Sequence, residues 1–331
     1  MTATDRRIRS LRPPKPHVDP WTAHGVAVDE ERRPDGTVER ALTIFLAGAE
    51  CPFTCAFCDL WRYTLDGPTP AGALPRQVAN ALGALDGPRP DRLKLYNASN
   101  FFDRRAVPPE DLPALAALGA PFRGVTVESH AGTVGPAVVD FARTLGGRLE
   151  VAMGLETVHP AAMARLNKRL DLGRFDRAAA YLAEHDVDLR VFVLLGAPHA
   201  PAAESVEWTV RAVEHAAARG AAVVCVIPVR GGNGEMERLA ASGAFTPPTL
   251  AQLEAVMDRC VGSSPTVVTV DLWDAAALAT CDACRDARVE RLRRMNVTGQ
   301  PEPRVECPTC ARHERNDDQV QSTTIQGMAI P

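Results

Sequence analysis

The sequence predicts an α/β chain built on a partial (β/α)6 TIM-like barrel, with a small C-terminal four-cysteine metal-binding appendage. Three observations predict it. Six short, mostly apolar β-rich runs alternate with longer Ala/Leu/Arg/Glu segments of helical character; such runs are strands buried on both faces, joined as parallel β-α units. Hydrophobic residues make up 46% and charged residues 24% of the 331 residues, the balance of a globular chain with a sizeable core. Seven of the nine cysteines fall in three tight clusters, one directly after the first of these strands and two near the C-terminal end.

In chain order, residues 1–38 are rich in Pro, Arg and Asp without a sustained period, and read as an extended lead-in. The barrel is expected over 39–262. Its strands are ALTIFLAG (41–48), LKLYNAS (93–99), GVTVES (124–129), LEVAMGLET (149–157), DLRVFVLLGAP (188–198) and AVVCVIPV (222–229). Helical stretches at 74–85, 110–119, 159–167, 176–185 and 203–219 separate them, and a further helix is expected at 249–260. Right-handed crossovers place every strand's C-terminal end on one rim, where loops carry chemistry. A β-like run at 266–273 opens a Cys-rich appendage over 263–315, and a flexible tail follows at 316–331.

Composition excludes some functions. The formal charge of −4 argues against a molecule-wide basic surface for nucleic acid, so any such site is local. No apolar run is long enough to cross a membrane, and no membrane partner is expected. The first residues lack the apolar core of a secretory signal, so a cytoplasmic, thiol-reducing location is expected. Cysteines there point to metal or catalysis before disulfides.

Cys51, Cys55 and Cys58 form C-x3-C-x2-C after the first of the six strands. Three thiolates this close can ligate three irons of a cubane cluster and leave the fourth open to an external ligand, as open positions mark catalytic metal sites. The plainer readings are a zinc site completed from elsewhere, or buried structural cysteines. The motif resembles that of the radical S-adenosylmethionine (SAM) superfamily. KLYNASNFFD (94–103), VESH (127–130), GLET (154–157), LNKRL (166–170) and LLGAP (194–198) fit that superfamily's strand ends. They are similar to the branch of the Elongator catalytic subunit, and closer to the radical SAM lyase of archaeosine synthesis. The resemblance implies that Cys51, Cys55 and Cys58 hold a 4Fe–4S cluster whose open iron chelates SAM. It further implies that one electron, from a flavodoxin- or ferredoxin-type donor, cleaves SAM to a 5′-deoxyadenosyl radical that abstracts hydrogen from substrate.

Candidate SAM contacts follow. Asn97, Ser99 and Asn100 can meet the SAM amine, although Asn and Ser also suit a turn. Glu156 can take the ribose hydroxyls or merely stabilise a helix start. Lys168 can pair with the methionine carboxylate or lie solvated. Glu128 and His130 end a strand; one can touch SAM, and a satisfied core histidine is the alternative. RGGNGEM (230–236) reads as a flexible loop, and Cys225 and Cys260 as buried apolar residues.

Cys281, Cys284, Cys307 and Cys310 form paired C-x2-C knuckles, which suit a closed tetrahedral zinc site; an auxiliary Fe–S cluster is the rival. Between them, Arg285, Arg288, Arg291, Arg293 and Arg294 would give a helix a basic face for tRNA, or simply a solvated surface. Three functions therefore compete. One is a radical SAM enzyme acting on a tRNA base, another a radical SAM enzyme acting on a small metabolite or peptide. The last is a non-catalytic iron–sulfur or zinc protein.

Overall fold

The computed structural model describes residues 1–310, so the expected flexible tail at 316–331 lies outside the described residues. The six expected strands form as β2 (Val38–Phe45), β3 (Arg92–Tyr96), β4 (Gly124–Ser129), β5 (Arg148–Glu156), β6 (Asp188–Leu195) and β7 (Val223–Pro228). The β-like run after them becomes β8 (Val267–Val270), parallel to β7. One further strand, β1 (Gly25–Arg32), pairs antiparallel with β2, and the eight lie in the order β1 to β8 in a single nearly closed, barrel-like sheet.

The helices are α1 (Ala3–Leu11), α2 (Ala73–Gly83), α3 (Leu112–Gly119), α4 (Pro136–Thr144), α5 (Pro160–Arg165), α6 (Leu172–Glu184), α7 (Ser205–Ala218), α8 (Glu235–Ala241), α9 (Leu250–Cys260) and α10 (Arg285–Thr298). Alternate strand residues such as Leu42, Ile44, Leu93, Leu95, Val125, Val191 and Val224 pack outward against Leu74, Phe141, Phe175, Val213 and Leu253 of the helices. The opposite, inward face is not the apolar filling that buried parallel strands suggest. At its base Glu150 accepts from Arg33 Nη1 (2.8 Å), Arg190 Nε (2.8 Å) and Thr126 Oγ1 (2.9 Å). Arg190 and Lys94 also pair with Glu31, and Arg92 Nε with Glu39 at 2.8 Å. These charges keep one another ionised; the cationic neighbours hold Glu31 down at about 2 against the upward push of burial.

Two expectations about the chain ends need correction. Residues 1–38 are not an extended lead-in, since they hold α1 and β1. β1 escaped notice because it is an edge strand, with Val26 and Val28 exposed on one side and Glu31 turned into the charged interior on the other. The segment assigned to the appendage supplies β8, and its helix α10 packs against both β1 and β8, the sheet's two edges. Asn296 of α10 satisfies the outer edge of β8 by accepting from Val270 N–H (2.9 Å) and donating to Val270 O (2.8 Å). A side-chain amide thus replaces the missing neighbour strand.

Candidate functional site

The loop after β2 carries Cys51, Cys55 and Cys58 onto the rim at the strands' C-terminal ends. Three separate elements hold it. The Thr54 hydroxyl donates to Asp5 of α1 (2.6 Å), Ala56 N–H donates to Leu166 O (2.9 Å), and Asn233 Nδ2 donates to Ala56 O (2.8 Å) and Cys58 O (3.2 Å). The 230–236 segment is therefore a clamp on the cysteine loop and not a free flexible loop: Asn233 is buried, with its Oδ1 accepting from Met236 N–H at 2.8 Å. Burial pushes the Cys55 thiol up to about 12, with Lys168 acting in the opposite sense, and pushes Cys51 and Cys58 up as well. Thiols that resist ionisation in the free chain ionise when a metal takes their charge.

The candidates at the C-terminal ends of β3 and β4 gather beside this loop. Asn100 Nδ2 donates to Cys51 Sγ (3.4 Å), and Asn100 Oδ1 accepts from His130 N–H (2.7 Å). Asn100 thus tunes a thiol and ties two strand ends together. Asn97 is fully buried, with both side-chain polar atoms unpartnered; Ser99 Oγ and Glu128 Oε1 are unpartnered as well. Each orphaned buried group costs about 1–3 kcal/mol, so several in one place mark where a polar guest or water belongs. Ala98 between them has φ 52°, a left-handed conformation that turns the 97–99 backbone amides toward Glu128. Burial raises the Glu128 carboxyl to about 7 despite those amides.

β5 ends in a bulge between Gly154 and Glu156, and Glu156 sits at φ 69°. Its carboxylate accepts from Lys168 Nζ at 2.5 Å. The pair passes directly over Gly154, where a Cβ would overlap both charged groups. Glu156 is therefore partnered by Lys168 and does not cap a helix, and Lys168 is half-buried beside the cysteines and not a solvated surface residue. His130 takes the plainer of its two readings. Its Nδ1 accepts from Gly132 N–H (2.9 Å), which makes Nε2–H the donor to Lys168 O (3.0 Å). Its ring stacks on Phe53 at 4.1 Å, and burial lowers its pKa to about 4, so it is a neutral structural histidine.

Sequence reasoning missed Asp5 and Asn233. Both act across large sequence separations, and the one available signal was the Thr2/Asp5 capping box that starts α1.

At the C-terminal end, Cys281, Cys284, Cys307 and Cys310 bring their sulfurs within 4.8 Å of one another. The Cys281–Cys307 and Cys284–Cys310 separations are 3.9 and 3.7 Å. Four thiolates at about 2.3 Å from one ion lie about 3.8 Å apart along each tetrahedral edge. Part of the basic face expected on α10 is taken up inside the protein. Arg291 is buried and pairs with Glu254 (3.3 Å) and Asp258 while donating to Pro303 O (2.8 Å). Arg285, Arg288, Arg293 and Arg294 pair with Asp282, Glu254, Glu290 and Glu302. Among the described residues, no helix is long and apolar enough to cross a membrane.

No family model matches the chain, and no curated protein matches it. Among solved structures it is similar to the archaeal Elp3 of Methanocaldococcus infernus, with TM-score 0.52 and 12% identity over 68% of this chain and 60% of that one. It is similar to a radical SAM methyltransferase from Sphaerobacter thermophilus, with TM-score 0.50 and 19% identity over 84% of each chain. It is also similar to methylornithine synthase (PylB), with TM-score 0.50 and 13% identity over 78% of this chain and 71% of that one. The chain therefore spans less than two thirds of the archaeal Elp3. Likeness at this level of identity shows the fold, and the expected TIM-like fold is borne out.

Proposed function

We propose that this chain is a radical SAM enzyme. The observation that carries the reading is the three-cysteine loop on the rim of this fold, set directly beside the unpartnered buried atoms of Asn97, Ser99 and Glu128. Cys51, Cys55 and Cys58 hold a 4Fe–4S cluster, and the donor set fits one: three thiols, no fourth cysteine in the loop, and Asn100 as a hydrogen bond to one sulfur. Held there and reduced by a flavodoxin- or ferredoxin-type partner, such a cluster would supply the electron for reductive cleavage of bound SAM. The chain's own residues bind and orient SAM. Glu128 and the 97–100 turn offer acceptors to its amine. Lys168 offers a cation to its carboxylate, and Glu156 holds Lys168 in place and faces the ribose.

The substrate is a small molecule or a peptide segment in preference to a tRNA base. Two of the arginines that argued for tRNA, Arg288 and Arg291, are held by Glu254 and Asp258, the other three sit in exposed pairs with Asp282, Glu290 and Glu302, and the chain carries a net charge of −4. The four C-terminal thiolates hold a single zinc ion, because their spacing suits one tetrahedral centre better than the wider spread of a cluster. The test is anaerobic reconstitution followed by reduction with SAM. Release of 5′-deoxyadenosine supports the reading, and an iron-loaded chain that leaves SAM intact overturns it. Salt-sensitive binding of tRNA by the loaded protein would restore the tRNA reading.

A further inference from the structure

We propose that Asp5 of the N-terminal helix is a positioning residue of the SAM site, one carboxylate that locks the cysteine loop and the Lys168 turn into a single geometry. The inference rests on the SAM-site reading above and concerns how that site is held.

Asp5 is buried, and both its oxygens are used. Oδ1 accepts from Thr54 Oγ1 (2.6 Å) and Asn167 Nδ2 (2.9 Å). Oδ2 accepts from Thr2 N–H (2.6 Å) and Arg169 Nη2 (2.9 Å). Thr54 lies between Cys51 and Cys55; Asn167 and Arg169 flank Lys168 on either side. Those two flanking residues have φ 55° and 58°; asparagine tolerates this left-handed conformation, whereas Arg169 keeps it only when its surroundings enforce it. Asp5 fixes the side chains of both. The strained turn aims Lys168 Nζ at Glu156 and toward Cys55. Asn167 Nδ2 also donates to Thr54 O (2.8 Å), so the two segments meet on this one carboxylate.

The rest of α1 is built to bring Asp5 there. Ile8 packs with Ala56 of the cysteine loop and with Met236 and Leu239 of α8. Arg7 pairs with Glu235 at 3.2 Å, and just past the helix Arg12 pairs with Glu50, the residue before Cys51, at 2.8 Å. The hydrogen bonds lower the Asp5 pKa well below the usual carboxylate range, so the acceptor stays ionised.

The test uses the full chain with Asp5→Asn, Thr54→Val and Thr54→Ser. Thr54→Val keeps the shape and removes the hydroxyl that Asp5 accepts; Thr54→Ser keeps it. Two readouts are taken: amide hydrogen exchange of 51–58 and 166–170 without cofactor, and SAM affinity after reconstitution. Asp5→Asn and Thr54→Val should raise exchange in both segments together by at least about tenfold. They should weaken SAM binding about 10- to 100-fold at unchanged iron content, as loss of a charge-assisted hydrogen bond implies, while Thr54→Ser binds like the parent. Unchanged exchange in 166–170 in the Asp5→Asn and Thr54→Val chains overturns the proposal, whether or not SAM binds. Failure of the parent to bind SAM, with the coupled exchange response still seen in the Asp5→Asn and Thr54→Val chains, would overturn the SAM reading and leave Asp5 as the lock between the two segments.

Discussion

The two groups of cysteines in this chain are arranged in opposite ways. The four C-terminal thiols converge on one point within 4.8 Å, each knuckle completing the other. Cys51, Cys55 and Cys58 are the opposite case. They form no such gathered group among the described residues, their loop is held from outside by Asp5, Leu166 and Asn233, and the unsatisfied polar groups lie next door, just past β3 and on β4. A closed thiolate set spends all its ligands on one ion and serves folding. A braced, incomplete set keeps a coordination position for chemistry. The same contrast runs through the charges. Those at the base of the barrel and on α10 are mutually paired, whereas Glu128 keeps an unpartnered oxygen.

The largest expected effect separates the two groups. Cys58→Ala should lose essentially all cluster iron and all SAM cleavage, yet retain about one metal ion at the C-terminal knuckles, as metal analysis will read. Simultaneous loss of both metals would break the comparison. Next, Cys284→Ser should release the C-terminal metal and destabilise 281–310 by several kcal/mol, because metal binding there is folding free energy. Limited proteolysis should cut that segment first while the barrel core persists.

Smaller effects test the rim. Lys168→Ala should weaken SAM binding about 10- to 150-fold, from about 1.5–3 kcal/mol, with cluster iron unchanged; titration of the reconstituted protein will show it. Smallest is the pH response of Glu128. Its folded pKa is raised to about 7, so the folded chain holds a proton that the unfolded chain releases. Its stabilising contribution is complete below the ordinary carboxylate value and lost as pH rises toward 7. Denaturant titrations should therefore show the parent losing on the order of 1 kcal/mol relative to Glu128→Gln between about pH 5 and about pH 6.5. Parallel pH profiles would remove Glu128 from the desolvated position assigned to it.

Much of this was legible in the sequence where the signal is local. The six inner strands announce themselves because their outward residues are apolar and helices separate them. Both cysteine groups are visible by spacing alone. What the sequence hid depends on distant partners. β1 reads as polar lead-in because its acidic residues find their partners, Lys94 and Arg190, only inside the barrel. α10 reads as a basic face because Glu254 and Asp258, which neutralise it, come from α9. Asp5 and Asn233 read as ordinary polar residues because nothing near them in sequence says that they grip the cysteine loop. The rim candidates were half legible. Asn97, Ser99, Glu128, Glu156 and Lys168 do stand by the loop, whereas His130 is consumed by structural hydrogen bonds.

The most direct measurement of the central claim compares the parent chain with the triple Cys51/Cys55/Cys58→Ala variant after anaerobic reconstitution. Both are reduced in the presence of SAM, with iron and 5′-deoxyadenosine quantified together. The parent should hold about four irons at the N-terminal site and form 5′-deoxyadenosine, and the variant should do neither. A variant that still cleaves SAM, or a parent that binds the iron and leaves SAM whole, would contradict it.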